Sequence, residues 1–150
     1  MTAHLAVGPG AGILVAVEVN PLDTVWSTHP ARPLAPAFAL NLRHAGIGSA
    51  VKRQEVGTAI AENGGAFTVL SAPDSIAWLL NMRGGDIPNT PVALCYAVVA
   101  RDGGVKLFID QRKLSPELLE AFDDDITIYL PEDLGVVLDT LGTSGHRVLV

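Results

Sequence analysis

Apolar and polar positions follow two different patterns along this chain, and the change falls near residue 48. Ile13–Val19 is a β-branched run behind the turn cluster Gly8-Pro9-Gly10, and it predicts a strand. From Asn20 to Gly48 the periodicity disappears and Pro21, Pro30, Pro33 and Pro36 come in. That stretch reads as an extended connector anchored by Leu22, Val25, Trp26 and Phe38.

From Ser49 onward the pattern is a compact α/β one. Ser49 is placed to cap a helix running to about Asn63, with Val56, Ala59 and Ile60 on one face and Gly64-Gly65 as its stop. Ala66–Leu70 is a short buried strand, and Pro73 opens a helix carrying Ile76, Trp78, Leu79 and Leu80. A loop from Met82 to Pro91 follows. Val92–Ala100 and Val105–Asp110 flank Arg101-Asp102-Gly103-Gly104 and predict an antiparallel hairpin. Ser115-Pro116-Glu117 starts a helix, Ile126–Leu130 is a strand, Pro131-Glu132-Asp133 starts a helix ending near Gly142, and Arg147–Val150 closes as a strand. This order predicts an α/β fold, a mixed β-sheet with helices on its faces.

Composition narrows the class. The chain has 150 residues, room for one substantial core, and its mean hydropathy of +0.35 is high. Its longest apolar run, Val92–Ala100, is far too short to cross a bilayer, so we read a buried sheet and no membrane association. Glu18 and the lack of a basic segment or small-residue cleavage site argue against Met1–Val19 as a leader, and cytoplasmic location is the default. A net charge of −6 with ten scattered Lys and Arg argues against nucleic-acid binding; only Lys52-Arg53 and Arg112-Lys113 are adjacent. The single cysteine, Cys95, sits in an apolar strand and reads as an inert core thiol.

Candidate chemistry is sparse. His4, His29, His44 and His146 are isolated, and Asp123-Asp124-Asp125 reads as a solvated turn, so no metal is assigned. No nucleophile elbow is present, and Gly8–Gly12 leads into a strand where a dinucleotide fingerprint needs a helix. The loop after Trp78 stands out instead. Arg83 and Asp86 flank Gly84-Gly85, with Pro88 and Pro91 stiffening the exit, an arrangement that serves either a partner or a simple ion pair across the turn. Trp78 itself reads as a core aromatic, and Trp26 as the side chain pinning the connector.

The stretch from Asp74 to Val92, Asp-Ser-Ile-Ala-Trp-Leu-Leu-Asn-Met-Arg-Gly-Gly-Asp-Ile-Pro-Asn-Thr-Pro-Val, closely resembles one in the three-domain Xaa-Pro aminopeptidases of the creatinase and prolidase superfamily. Asn20-Pro21-Leu22-Asp23 with Trp26 and Arg32-Pro33 resembles that family's inter-domain connector. Leu107-Phe108-Ile109-Asp110 with Lys113-Leu114 is similar to its next strand and helix start. The resemblance implies the end of a preceding domain over 1–19, a connector over 20–48, and a creatinase-N-like, ribonuclease-H-like domain over 49–150, with both ends read as cuts. It further implies a C-terminal pita-bread catalytic domain, absent here, that binds two divalent metal ions, expected to be manganese, and removes the residue before a proline. This chain would then be inactive alone. It would shape the cleft for a peptide with proline second and contribute to a homodimer, with Arg83, Asp86 and Asn89 as candidate cleft or partner contacts. A stand-alone interaction or small-molecule-binding module is the alternative.

Overall fold

The computed structural model describes residues 4–5, 14–15 and 25–150. Gly8-Pro9-Gly10, Pro21 and most of the predicted strand Ile13–Val19 lie outside the described residues. What is described of that strand is β2 (Leu14–Val15), antiparallel to β1 (His4–Leu5) with Leu5 opposite Leu14. The chain divides into two compact units, residues 1–32 and 33–150. In the first, Trp26 is half exposed; its ring meets His29 edge-on and its indole N–H donates to Thr28 Oγ1.

The second unit opens with β3 (Phe38–Ala39), a short helix α1 (Leu42–Ala45) capped by Asn41, and the long helix α2 (Ser49–Glu62). There follow β4 (Phe67–Leu70), α3 (Pro73–Leu79), β5 (Met82–Arg83), the hairpin strands β6 (Tyr96–Ala100) and β7 (Val105–Phe108), and α4 (Pro116–Ala121). Strand β8 (Ile126–Tyr129), helix α5 (Leu134–Thr143) and β9 (Val148–Leu149) complete it. Five strands form one mixed sheet in the order β8-β7-β6-β4-β9. Strand β6 runs antiparallel to both β4 and β7, with Val99 opposite both Thr68 and Val105, while the two edges, β8 and β9, add in parallel. The mixed sheet read from the sequence is therefore present.

Side-chain alternation sends each strand to two cores. Ala97, Val99, Val105 and Leu107 pack with Ile60 of α2, Ile76 and Leu79 of α3 and Leu118 of α4. On the other face Val98 and Phe108 pack with Leu141 of α5. Helices thus cover both faces, as doubly covered sheets require.

Several local expectations are corrected. Gly48, one residue before Ser49, occupies the N-cap position of α2. The buried face of α2 is Lys52, Arg53, Gly57 and Ile60, while Ala59 is exposed and Val56 is at the edge. Gly57 explains how close α2 lies to the hairpin: a Cβ there would sit 2.7 Å from the Arg101 carbonyl oxygen, inside contact distance. Extended pairing in the Val92–Ala100 run begins only at Tyr96, because residues 92–94 are engaged by the preceding loop.

Candidate functional site

The loop singled out in the sequence is built around left-handed asparagines. Asn81 (φ 49°) turns the chain out of α3 into β5, and Asn89 (φ 61°) turns it back; asparagine tolerates this region better than most side chains. Between them β5 pairs with β3, Phe38 opposite Arg83 and Ala39 opposite Met82, which ties residues of the predicted connector to the loop. Gly84 is required for closeness, since a Cβ there would meet Ala93 backbone and side-chain atoms at 2.8 Å.

Three buried cations brace this region and its surroundings: Lys52, Arg53 and Lys113. The Lys52 ammonium donates to the Trp78 carbonyl (2.9 Å) and to Asn81 Oδ1 (2.7 Å) and lies 4.8 Å from the Trp78 ring centroid. Asn81 in turn donates to the Ile47 carbonyl. Burial, and secondarily the nearby Arg83 charge, hold the Lys52 pKa below its ordinary value. Lys113 reaches Asp86 Oδ2 at 2.6 Å with both side chains enclosed, 4 % and 0 % exposed. Asp86 also accepts from the Ala35 and Leu94 backbone N–H groups. Asp110 delivers Lys113 there: its carboxylate accepts from the Arg112 backbone and guanidinium, starting a 3₁₀ turn over Gln111–Lys113. Those bonds hold its pKa down at about 2.

The simple ion pair of Arg83 with Asp86, one of the two readings of this loop, is therefore not made. Asp86 faces inward to Lys113, and Arg83 Nη1 donates to the Ala77 and Met82 carbonyls (3.0 and 2.8 Å). Among the described residues no acceptor meets the other nitrogens of Arg83, which is partly exposed. Asn89 is exposed at the loop's far end. The three sequence candidates thus separate: Asp86 is an internal brace, while Arg83 and Asn89 present themselves at the surface.

Trp78, expected in the core, is 49 % exposed. Ile76, Leu79 and Leu80 take the buried side of α3, and Trp78 is left on its flank above Lys52. The run Asp123-Asp124-Asp125 is likewise more than a solvated turn. The fully buried Arg53 pairs with Asp123, lies 3.8 Å from Asp125 and donates to the Gly103 carbonyl, so it joins α2, the hairpin turn and the approach to β8. One signal in the sequence pointed to the missed brace: Lys52, Val56 and Ile60 recur at helical spacing, which places Lys52 on the inner stripe.

Cys95 is buried and donates to the Ala93 carbonyl, and burial pushes its thiol up to about 12. The native protein is expected to resist iodoacetamide at pH 8 and to react once unfolded in urea, which mass spectrometry would read; rapid native alkylation would contradict this. The raised value also fixes a sign. From about pH 9, where the unfolded thiol ionises, stability held by the protonated thiol is lost progressively toward pH 12.

The fold and this braced loop define a class. The chain belongs to the creatinase/prolidase N-terminal domain family, whose model matches residues 28–150. It is 38 % identical over 144 residues to a probable Xaa-Pro aminopeptidase P of Verticillium alfalfae, covering 92 % of this chain and 23 % of that protein. To the probable Xaa-Pro aminopeptidase P of Sordaria macrospora it is 37 % identical over 123 residues, covering 81 % and 20 %. The crystal structure of X-prolyl aminopeptidase from Caenorhabditis elegans, described as a cytosolic enzyme with a di-nuclear active site, superposes with a TM-score of 0.79 at 26 % identity, covering 89 % of this chain and 23 % of that one. The chain therefore spans about a fifth to a quarter of the proteins it matches. The α/β creatinase-N-like fold expected from the resemblance is borne out.

Proposed function

We propose that this chain is a non-catalytic domain of a cytoplasmic Xaa-Pro aminopeptidase. Its role is to shape the substrate cleft and the homodimer contacts of a C-terminal pita-bread domain lying outside these residues. The substrate is a peptide with proline in second position. In this reading residues 49–150 form the domain proper and 20–48 lead into it from a preceding domain. Family membership and the aminopeptidase relatives support the assignment to an Xaa-Pro aminopeptidase. The residues here do not fit a dinuclear metal centre: among the described residues no group of three His, Cys, Asp or Glu is placed to hold a metal ion. The acids near the loop and hairpin are occupied, Asp86 by Lys113 and Asp123 by Arg53. In this reading the metal pair, which we take to be manganese, belongs to the catalytic domain, and no step of this chain runs through it.

The observation that carries the proposal is Arg83. Held through Nη1 by two carbonyls, its planar fork keeps further donors that meet no acceptor among the described residues, suited to a carbonyl or carboxylate of a peptide or of the neighbouring domain. In the whole peptidase, Arg83→Ala is expected to lower kcat/KM for an Xaa-Pro peptide by about 10- to 100-fold, the worth of a charge-assisted hydrogen bond, while leaving this domain folded. Unchanged turnover would return Arg83 to a structural role. Turnover by the 150-residue chain alone with added manganese would overturn the non-catalytic reading. A stand-alone binding module is the second reading, favoured by a cleft beside Trp78.

A further inference from the structure

That cleft lies where α2 and α3 diverge above the end of β4. It measures about 350 Å³ and is lined by Val56, Leu70, Asp74, Ser75, Trp78 and Leu79, a volume in the range of small-ligand sites. Its walls are mostly apolar: Leu79 is fully buried, Leu70 and Val56 are half-buried, and half of the large Trp78 side chain stands at the rim. Lys52 lies 4.8 Å from the centroid of the indole ring, a cation–π contact that favours this ring position before anything binds. Binding there costs little side-chain ordering.

Three polar groups around the cleft are free to act. Among the described residues the Trp78 indole N–H finds no acceptor, and the Ser75 hydroxyl makes no hydrogen bond. Asp74, the one charged residue of the lining, has one carboxylate oxygen accepting from the Ser75 N–H and the other with no donor among the described residues. A donor at an apolar rim and a carboxylate beside an apolar floor are complementary to an apolar group carrying an ammonium or guanidinium, with a carbonyl between them. An acidic ligand would meet Asp74 in a chain of net charge −6 and be repelled.

We infer that this cleft docks an extended segment of another protein in which an aliphatic residue is followed by lysine or arginine. The aliphatic side chain enters between Leu70 and Leu79, a backbone carbonyl accepts from the Trp78 indole, and the cation pairs with Asp74. This is a contact of the domain surface, separate from the role given to Arg83, and stands whether or not the aminopeptidase reading does.

The test is a titration of the isotope-labelled chain with three blocked dipeptides, acetyl-Leu-Lys-amide, acetyl-Leu-Glu-amide and acetyl-Gly-Lys-amide, following the backbone amide resonances of Ser75 and Leu79 in every variant and the Trp78 indole N–H where it is present. The expected result is a saturable shift with the first peptide and binding at least fivefold weaker for the other two. Asp74→Asn is expected to weaken the Leu-Lys peptide about fivefold, the scale of an exposed ion pair, and to remove the preference over Leu-Glu. Trp78→Phe, which keeps an aromatic rim and removes the N–H, is expected to weaken all three while the rest of the spectrum stays in place. Equal affinity for the three peptides, an unchanged charge preference in Asp74→Asn, or no saturable shift would each overturn the inference.

Discussion

Asp86→Ala is expected to destabilise the protein by about 3–5 kcal/mol, the range for removing one member of a buried ion pair. Asp86 Oδ2 meets Lys113 at 2.6 Å, with both side chains enclosed. Its carboxylate also takes the N–H groups of Ala35 and Leu94. Removal leaves those two N–H groups without their acceptor and the enclosed ammonium with one remaining neighbour, the Leu94 carbonyl at 3.3 Å from Lys113. For a chain of this length that range corresponds to a melting temperature lower by roughly 10 °C. Urea unfolding followed by circular dichroism gives the number. A loss under about 1 kcal/mol would mean that the pair is solvated and does not brace the loop. Combining Asp86→Ala with Lys113→Met is expected to recover part of the loss, because the uncompensated charge goes with it.

This buried pair also shows where reading the sequence reached its limit. The order of strands and helices was legible because period-2 and period-3.6 patterns are local, and Gly64-Gly65, Pro73 and Asp102-Gly103 mark boundaries whatever the fold. The special shape of the loop was legible for the same reason, through its glycines and prolines. Which charges meet was not. Arg83 and Asp86 are three residues apart and invite pairing, yet the partner of Asp86 is 27 positions away on a turn set by Asp110. Arg53 finds Asp123 across 70 positions. Long charged side chains normally stay in water, so nothing local marks Lys52-Arg53 or Lys113 as buried, and only the tertiary fold reveals acceptors waiting inside. Trp78 failed differently. A helix of seven residues has one inner stripe, and Ile76, Ala77 and Leu79 fill it, with Leu80 buried just past its end.

The second strut should yield less than the first, and the difference tests the explanation. Arg53→Ala is expected to cost about 3 kcal/mol, at the low end of the range for a buried pair. Arg53 is as enclosed as Lys113, and its loss empties a large volume between α2 and the hairpin while freeing the Gly103 carbonyl. The charges it leaves behind differ, however: Asp123 and Asp125 are 48 % and 66 % exposed and return to water, whereas Asp86→Ala strands its partner inside. Accordingly Asp123→Ala alone should stay within about 1 kcal/mol of the parent, with Asp125 close enough to take over the guanidinium. Hydrogen exchange adds a local readout. In Arg53→Ala the amide of Gly103, bonded to the Ala100 carbonyl in the hairpin turn, should lose protection before the sheet amides of β4 and β6 do. If Arg53→Ala and Asp86→Ala cost the same, exposure of the stranded partner does not govern the penalty, and cavity formation around the lost side chain would have to dominate both.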